Sequence, residues 1–166
     1  MNHNYPIYLG LGANLGDRIV ALRSCIARLS EVAVIERVSS AWDTAPQILE
    51  DQPRFLNAAV SGRTHLDPFA LLRALKSLET ELGRLPSRRY GPRAIDIDVL
   101  LYDAWQVESR ELVIPHPLLP ERAFALAPLS EIAPDLRHPR LGLTIRELLA
   151  RTPRGDIVRL DIALTR

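Results

Sequence analysis

The chain has few residues of the kinds that cross-link a protein or hold it in a membrane. Its 166 residues include one cysteine, Cys25, which excludes an intrachain disulfide framework and is typical of a reducing compartment. Because Cys25 falls in a helical apolar pattern, we expect a small core residue there. No apolar run reaches membrane-spanning length, and residues 1–4 lack the charged and apolar stretches of a signal peptide. We therefore expect a cytoplasmic protein that does not associate with membranes.

Charge of one sign and aromatic residues are also scarce. The formal net charge is +1, so the chain lacks the excess of lysine and arginine that nucleic-acid binders carry. Aromatic residues make up 5% of the sequence, which leaves few rings for stacking on bases. Any anion site must therefore be local, and we expect no nucleic-acid partner. The length fits one domain, residues 1–166, without an internal linker.

The glycine-rich segment at residues 10–17 lacks both common phosphate-binding motifs. It has neither the G-x-G-x-x-G spacing of dinucleotide sites nor the lysine and hydroxyl residue that end a Walker loop. We interpret it as a tight turn between a strand and a helix, in which glycine permits close packing or an unusual backbone angle.

Hydrophobic periodicity and turn residues predict an α+β fold. Strands are expected at 6–12, 33–42, 55–63 and 94–102, with helices at 17–29 and 67–83. Asp67 and Pro68 form a strong helix start, and Gly83 suits the helix end. The order βαββαβ is that of ferredoxin-like folds, in which helices cover an antiparallel sheet. Beyond it we expect ordered loops over 112–139 with a short helix near 121–126, another helix at 143–150, and an edge strand near 158–164.

The strongest chemical signal lies between residues 88 and 99. Asp96 and Asp98 alternate with apolar residues, so both carboxylates share one face of a strand, about 7 Å apart at Cα. Two like charges on a half-buried face need compensation, which a divalent cation shared with phosphate oxygens would supply. The arginines at 88–93 suit phosphate because a guanidinium donates paired hydrogen bonds. The alternative is a structural network in which Asp96 and Asp98 pair with Arg89 and Arg93.

Other polar residues support either a site or a structural role. Asn57 lies on a strand face with Phe55, so it could bind the edge of a heterocycle while Phe55 stacks on it, or it could satisfy a loop backbone. Glu79 borders the apolar face of a helix, where it could accept a hydrogen bond from a ribose hydroxyl or an arginine, although a solvated carboxylate is the more common outcome. His116 lies between two prolines shortly before Arg122, and the pair could bind phosphate. Phe124, which follows, could be a second aromatic wall or an ordinary core residue.

These residues together closely resemble the 6-hydroxymethyl-7,8-dihydropterin pyrophosphokinase family of folate biosynthesis. The resemblance covers nearly the whole chain, in order. It is carried by the segments 11–17, 51–58, 79–84, 89–98, 115–117, 122–124 and 131–134. Tyr90 stands where the family often has tryptophan, and Gln47 where it often has an apolar residue.

The resemblance implies transfer of pyrophosphate from ATP to the hydroxymethyl group of the pterin, with release of AMP, by a monomer. It implies two Mg²⁺ ions held by Asp96 and Asp98, and catalytic roles for Arg84, Arg93, Asp96 and Asp98. The ATP site would comprise Lys76, Glu79, Arg89, Val99, His116 and Arg122. The pterin site would comprise Thr44, Ala45, Gln47, Phe55, Asn57, Tyr90 and Phe124.

Two other functions fit parts of the pattern. A metal-dependent nucleotidyltransferase could use the same Asp-x-Asp strand, but it would release pyrophosphate instead of AMP. A non-catalytic RNA-binding module could share the fold, but it would need basic and aromatic residues on its sheet. The carboxylates on the sheet face disfavour the RNA-binding module.

Overall fold

An antiparallel sheet of six strands forms the centre of the protein. The computed structural model describes residues 3–165. The strands are β1 (Tyr5–Ala13), β2 (Val34–Val38), β3 (Trp42–Thr44), β4 (Phe55–Thr64), β5 (Asp96–Tyr102) and β8 (Ile157–Arg159). They run in the order β5-β1-β4-β3-β8, and β2 also pairs with β4. The predicted ferredoxin-like α+β fold is confirmed.

Helices cover both faces of this sheet. On one face lie α1 (Arg18–Leu29) and α2 (Pro68–Glu81), and on the other α3 (Ala123–Ile132) and α4 (Ile145–Arg151). Asp67 caps α2 by accepting hydrogen bonds from the Phe69 and Ala70 amides, as its sequence predicts. Gly83 then takes a φ of 96°, a left-handed conformation that favours glycine and ends the helix.

The expected strand over residues 33–42 is wrong as a single element, because β2 and β3 are separate. At the break, the Ser39 side-chain oxygen accepts from the Ala59 amide at 2.8 Å, in place of a backbone carbonyl. The chain bends there, and β2 and β3 pair with successive parts of β4. Thr44 lies inside β3, two residues beyond the expected end of the strand at residue 42.

The region after β5 is more regular than the sequence indicates. A short hairpin of β6 (Val107–Glu108) and β7 (Val113–Ile114) was not predicted. The helix expected near 121–126 instead spans Ala123–Ile132 and continues through Pro128. Pro128 removes one backbone bond, a cost of about 3 kcal/mol in a helix interior. The buried face of α3, from Ala123 to Ile132, compensates by packing against the sheet and α4.

The expected edge strand is confirmed in part, since β8 pairs with β3 over three residues. Cys25 is fully buried in the core, as its sequence context predicts. Within residues 3–165, no helix is long and apolar enough to cross a membrane.

Candidate active site

A cavity of about 480 Å³ opens beside the ends of β1, β4 and β5. Most of the predicted site residues line it together. They are Thr44, Ala45, Gln47, Phe55, Asn57, Lys76, Arg84, Arg89, Tyr90, Arg93, Asp96, Asp98, His116, Arg122 and Phe124. Glu79 and Val99 are the exceptions. Glu79 lies behind the wall, 2% exposed, and Val99 contributes its side chain to the core on the other side of β5.

The two aspartates of β5 face the cavity in different electrostatic environments. Asp96 accepts from Arg84 at 2.7 Å and from Arg93 at 2.9 Å, and the nearby cations, Arg93 first, outweigh burial and hold its pKa below the usual range. Asp98 has no ion-pair partner among the described residues. Burial, with the neighbouring Asp96 charge second, raises the pKa of Asp98 to about 6.

The structural ion-pair alternative therefore holds for one carboxylate only. Arg93 pairs with Asp96 as that alternative expects, but Arg84 takes the place of Arg89. Asp98 forms no ion pair among the described residues, and the Lys76 and Arg122 charges offset the rise of its pKa only in part. A carboxylate at this depth without an ion-pair partner gains from a cation supplied from outside the chain.

Glu79 connects the arginine loop, residues 84–93, to strand β5. The expectation of a solvated Glu79 is wrong, because both its carboxylate oxygens are engaged within the protein. Lys76 donates to Oε1 at 3.0 Å, Arg84 donates to Oε2 at 2.7 Å, and the Ile97 amide donates to Oε1 at 2.6 Å. Since β5 is an edge strand, the Ile97 amide has no strand partner on that side, and Glu79 satisfies it. Glu79 thus fixes Arg84 and Lys76 at the cavity edge.

The opposite end of the cavity presents an amide between apolar walls. Asn57 is buried, and its Nδ2 donates to the Thr44 hydroxyl oxygen at 2.6 Å. A Cβ at Gly12 would lie 2.9 Å from Asn57 Oδ1, so this position requires glycine for close packing. That requirement confirms the close-packing interpretation of the glycine-rich turn. Phe55 and Phe124 supply the aromatic surfaces of the cavity.

His116 is fixed in one tautomer. Its Nδ1 accepts from the Leu118 amide at 3.2 Å, so in the neutral ring Nε2 carries the proton and acts as a donor. Burial, with the Arg122 cation second, lowers the pKa of His116 to about 4. At neutral pH the ring is therefore an uncharged donor.

This pKa predicts a pH dependence of stability. A histidine with a depressed folded pKa contributes stability that is present above its usual value of 6.5 and is lost as the pH falls toward 4. His116→Gln should remove that contribution. The decrease in the free energy of unfolding between pH 7 and pH 5 should then be smaller than in the parent by on the order of 1 kcal/mol. Urea unfolding at both pH values would measure it, with His65→Gln, an exposed histidine, as the control. A slope for His116→Gln equal to the parent's would contradict the prediction.

The arginine loop, residues 84–93, carries its side chains over the cavity. Tyr90 has a φ of 62°, and the Arg89 guanidinium lies 4.9 Å from the centroid of its ring. Across the cavity, the Arg122 guanidinium lies 5.4 Å from the Phe124 ring centroid. Two of the three aromatic residues expected in the pterin site, Tyr90 and Phe124, therefore each have a guanidinium beside the ring that phosphate could use.

The sequence analysis assigned no role to two amide side chains at the base of the loop, the buried Asn14 and the half-buried Gln52. Both lie close to the site, and each makes several hydrogen bonds. Asn14 follows the last residue of β1, where a polar residue at a strand end is too common to indicate a function.

The residues present fit a hard divalent cation that takes part of its shell from a substrate. Among residues 3–165, no cluster of three or more His, Cys, Asp or Glu side chains could hold a metal alone. Mg²⁺ is typically bound through one or two carboxylates plus phosphate oxygens and water, which matches the pair Asp96 and Asp98.

Comparisons with known proteins agree on one family. The family model of 7,8-dihydro-6-hydroxymethylpterin-pyrophosphokinase matches residues 8–134. The 2-amino-4-hydroxy-6-hydroxymethyldihydropteridine pyrophosphokinase of Methylorubrum extorquens is 46% identical over 93% of this chain and 98% of its own length. The protein of the same name from Bacillus subtilis is 46% identical over 78% of each chain.

The fold is also similar to solved structures. The crystal structure of Plasmodium falciparum wild-type HPPK-DHPS matches 91% of this chain with a TM-score of 0.75 and 15% sequence identity. The chain spans 45% of that longer protein. At this identity the likeness shows the fold alone.

Proposed function

The chain belongs to the 7,8-dihydro-6-hydroxymethylpterin-pyrophosphokinase family, and we propose that the cavity beside β5 is where its reaction takes place. The chain is a pyrophosphokinase of folate biosynthesis: it transfers pyrophosphate from ATP to the hydroxymethyl group of 6-hydroxymethyl-7,8-dihydropterin and releases AMP. The observation that carries the proposed location is that a carboxylate without an ion-pair partner, an arginine cluster and a buried amide line one cavity.

Asp96 and Asp98 are proposed to hold two Mg²⁺ ions together with the triphosphate of ATP. When bound, these ions would neutralise negative charge on the triphosphate and help to orient it for in-line displacement. The raised pKa of Asp98 supports this role, because a buried carboxylate whose charge the protein offsets only in part gains from an external cation.

The cationic side chains are proposed to bind the rest of ATP. Lys76, Arg89 and Arg122 lie at the cavity edge, and His116 offers a neutral N–H donor between them. Glu79 acts through Arg84 and Lys76, which it holds in place. Because the side chain of Val99 packs in the core, Val99 is proposed to contact ATP through its main chain only.

Arg84 and Arg93 are proposed to stabilise the negative charge that develops as the bond between the β-phosphorus and AMP breaks. In phosphoryl transfer the protein does little covalent chemistry, and positioning and electrostatics supply most of the rate. Both guanidiniums already contact Asp96, so they lie next to the proposed metal site before ATP arrives. No side chain of the cavity is required as a strong base, and at most a weak role falls to Asp96.

The pterin is proposed to bind between Phe55, Phe124 and Tyr90, with its edge on Asn57. Thr44 fixes the Asn57 carboxamide, which leaves Asn57 Oδ1 directed toward the cavity wall at Gly12. Ala45 and Gln47 complete the mouth of this pocket.

Asn57→Ala should weaken pterin binding far more than ATP binding. Loss of the amide leaves the buried edge of the heterocycle without partners, a cost of about 1–3 kcal/mol, or roughly 10–100-fold in Kd. We expect the Kd for magnesium-ATP to change by less than about 3-fold. Calorimetry with each ligand would measure both, with Asn4→Ala at an exposed position as the control. Equal losses for the two ligands would remove Asn57 from the pterin site.

The reaction itself is tested by mixing protein, magnesium, ATP and hydroxymethyldihydropterin. AMP is the expected product, whereas release of pyrophosphate would indicate the nucleotidyltransferase alternative. We further propose that the protein is a single domain of residues 1–166, monomeric, cytoplasmic and without a nucleic-acid partner. The one sheet shared by both core clusters supports the single domain, and the near-zero net charge supports the absence of a nucleic-acid partner.

A further inference from the structure

Two amide side chains join the three segments that surround the reacting centre. Asn14 Nδ2 donates to Gln52 Oε1 and to the Pro53 carbonyl, both at 3.0 Å. Gln52 Nε2 donates to the Leu49 carbonyl at 2.8 Å and to the Tyr90 carbonyl at 2.9 Å. We name Asn14 and Gln52 the amide clasp. It connects the end of β1, the pterin-side loop at 45–54 and the arginine loop.

The amide clasp holds Arg93 at two points. The Arg93 amide donates to Asn14 Oδ1 at 2.9 Å, and the Asn14 amide donates to the Arg93 carbonyl at 3.1 Å. Arg93 then extends its guanidinium to Asp96 at 2.9 Å. Because its backbone is bonded on both sides, the direction of this side chain is set by Asn14.

Few other contacts hold the main chain of the arginine loop in place. Among the described residues, the main chain of 85–93 forms hydrogen bonds outside this segment only with Asn14 and Gln52. Most of the segment is exposed, so burial contributes little to its position. Asn14 is 2% exposed and uses both hydrogens of its amide, which makes its geometry specific and costly to disturb.

We propose that Asn14 and Gln52 are positioning residues that set Arg93 and Tyr90 over the reacting centre and couple the pterin-side loop to the arginine loop. The expected effects on turnover rest on the proposed function. The loop at 45–54 lines the cavity, so a ligand that contacts it acts on Tyr90 through Gln52. A misplacement of about 1 Å in a catalytic group can cost roughly 100-fold in rate.

Gln52→Met and Asn14→Leu test the clasp because each keeps the side-chain size and removes the amide. Gln106→Met, at an exposed glutamine away from the site, is the matched control. The first readout is cleavage of the free protein by trypsin after Arg88 or Arg89, followed by mass spectrometry. We expect both clasp variants to be cut roughly 10-fold faster than the parent or the control, since opening of the loop costs less without its tether.

The second readout separates positioning from binding. Turnover should fall roughly 10–100-fold in both clasp variants, while the Kd for magnesium-ATP changes by less than about 3-fold. In an Arg93→Ala background the additional effect of Asn14→Leu should shrink to less than about 3-fold, because the residue it positions is absent. If the effects of Asn14→Leu and Arg93→Ala on turnover were fully additive, the proposal would be overturned.

Unchanged cleavage in both clasp variants would equally overturn it, even if turnover fell. Thermal unfolding, measured in parallel, confirms that each variant is folded at the assay temperature. If the parent protein releases no AMP, the proposed function fails, and the cleavage readout still decides whether the clasp tethers the loop.

Discussion

Asp98→Asn should abolish most of the activity and leave the fold intact. Asn keeps the shape of the side chain but loses the charge that, by our proposal, holds Mg²⁺. We expect turnover to fall by roughly 10³-fold or more at saturating magnesium, about 4 kcal/mol of transition-state stabilisation. Steady-state assays of AMP release would measure it. Asp103→Asn, the same substitution just after β5 and outside the cavity, is the control.

The same variant should be at least as stable as the parent in metal-free buffer. Burial and Asp96 raise the pKa of Asp98 from 3.8 to about 6, so the charged carboxylate destabilises the folded state. Because the pKa of this acid is raised in the folded state, the contribution of Asp98 to stability is fully present below pH 3.8 and is lost as the pH rises to 6. The advantage of Asp98→Asn should therefore be constant above about pH 6 and shrink below it, as urea unfolding in EDTA would show.

Activity close to the parent's would remove Asp98 from the metal site. Instability of Asp98→Asn at pH 8 would contradict the electrostatic account instead, because it would mean that the charge is compensated within the protein. The two outcomes are independent, so one set of variants tests both the chemistry and its physical basis.

The faces and ends of the elements could be predicted from sequence because they depend on local periodicity. Alternation along residues 95–99 correctly placed Ile97 in the core and both aspartates on the other face. Asp67 and Gly83 correctly marked the ends of α2. In each case the signal and the structure lie within one turn or one strand.

The interpretations that were wrong depend on partners far along the chain. Glu79 is buried because the Ile97 amide on an edge strand needed an acceptor, which the pattern of the helix does not show. The break between β2 and β3 depends on a bond from the Ala59 amide to Ser39. Pro128 continues a helix because of burial against another layer. The hydrogen bonds of the clasp likewise join distant parts of the chain: Asn14 and Gln52 are 38 positions apart, and Asn14 and Arg93 are 79 positions apart.

Arg84 is the residue in which these long-range contacts bear most directly on rate. Its Nη1 donates to Glu79 Oε2 and to Asp96 Oδ1, both at 2.7 Å, so it bridges a buried structural carboxylate and a proposed metal ligand. This bridge holds the guanidinium beside the site in the absence of ATP, and reorganisation during the reaction is correspondingly small. Preorganised charge of this kind stabilises a transition state more than it stabilises a bound substrate.

Arg84→Ala should therefore depress turnover far more than it depresses binding. We expect a loss of roughly 10²–10³-fold in kcat, the effect of removing one preorganised donor, against less than about 10-fold in the Kd for magnesium-ATP. Single-turnover kinetics and calorimetry would measure the two quantities, with Arg73→Ala, an exposed arginine on α2, as the control. Arg84→Lys keeps the charge but not the bridging geometry, so it should recover only part of the rate. Equal losses in binding and turnover would show that Arg84 holds ATP and does no more, because an interaction made equally in both states cannot accelerate the chemical step.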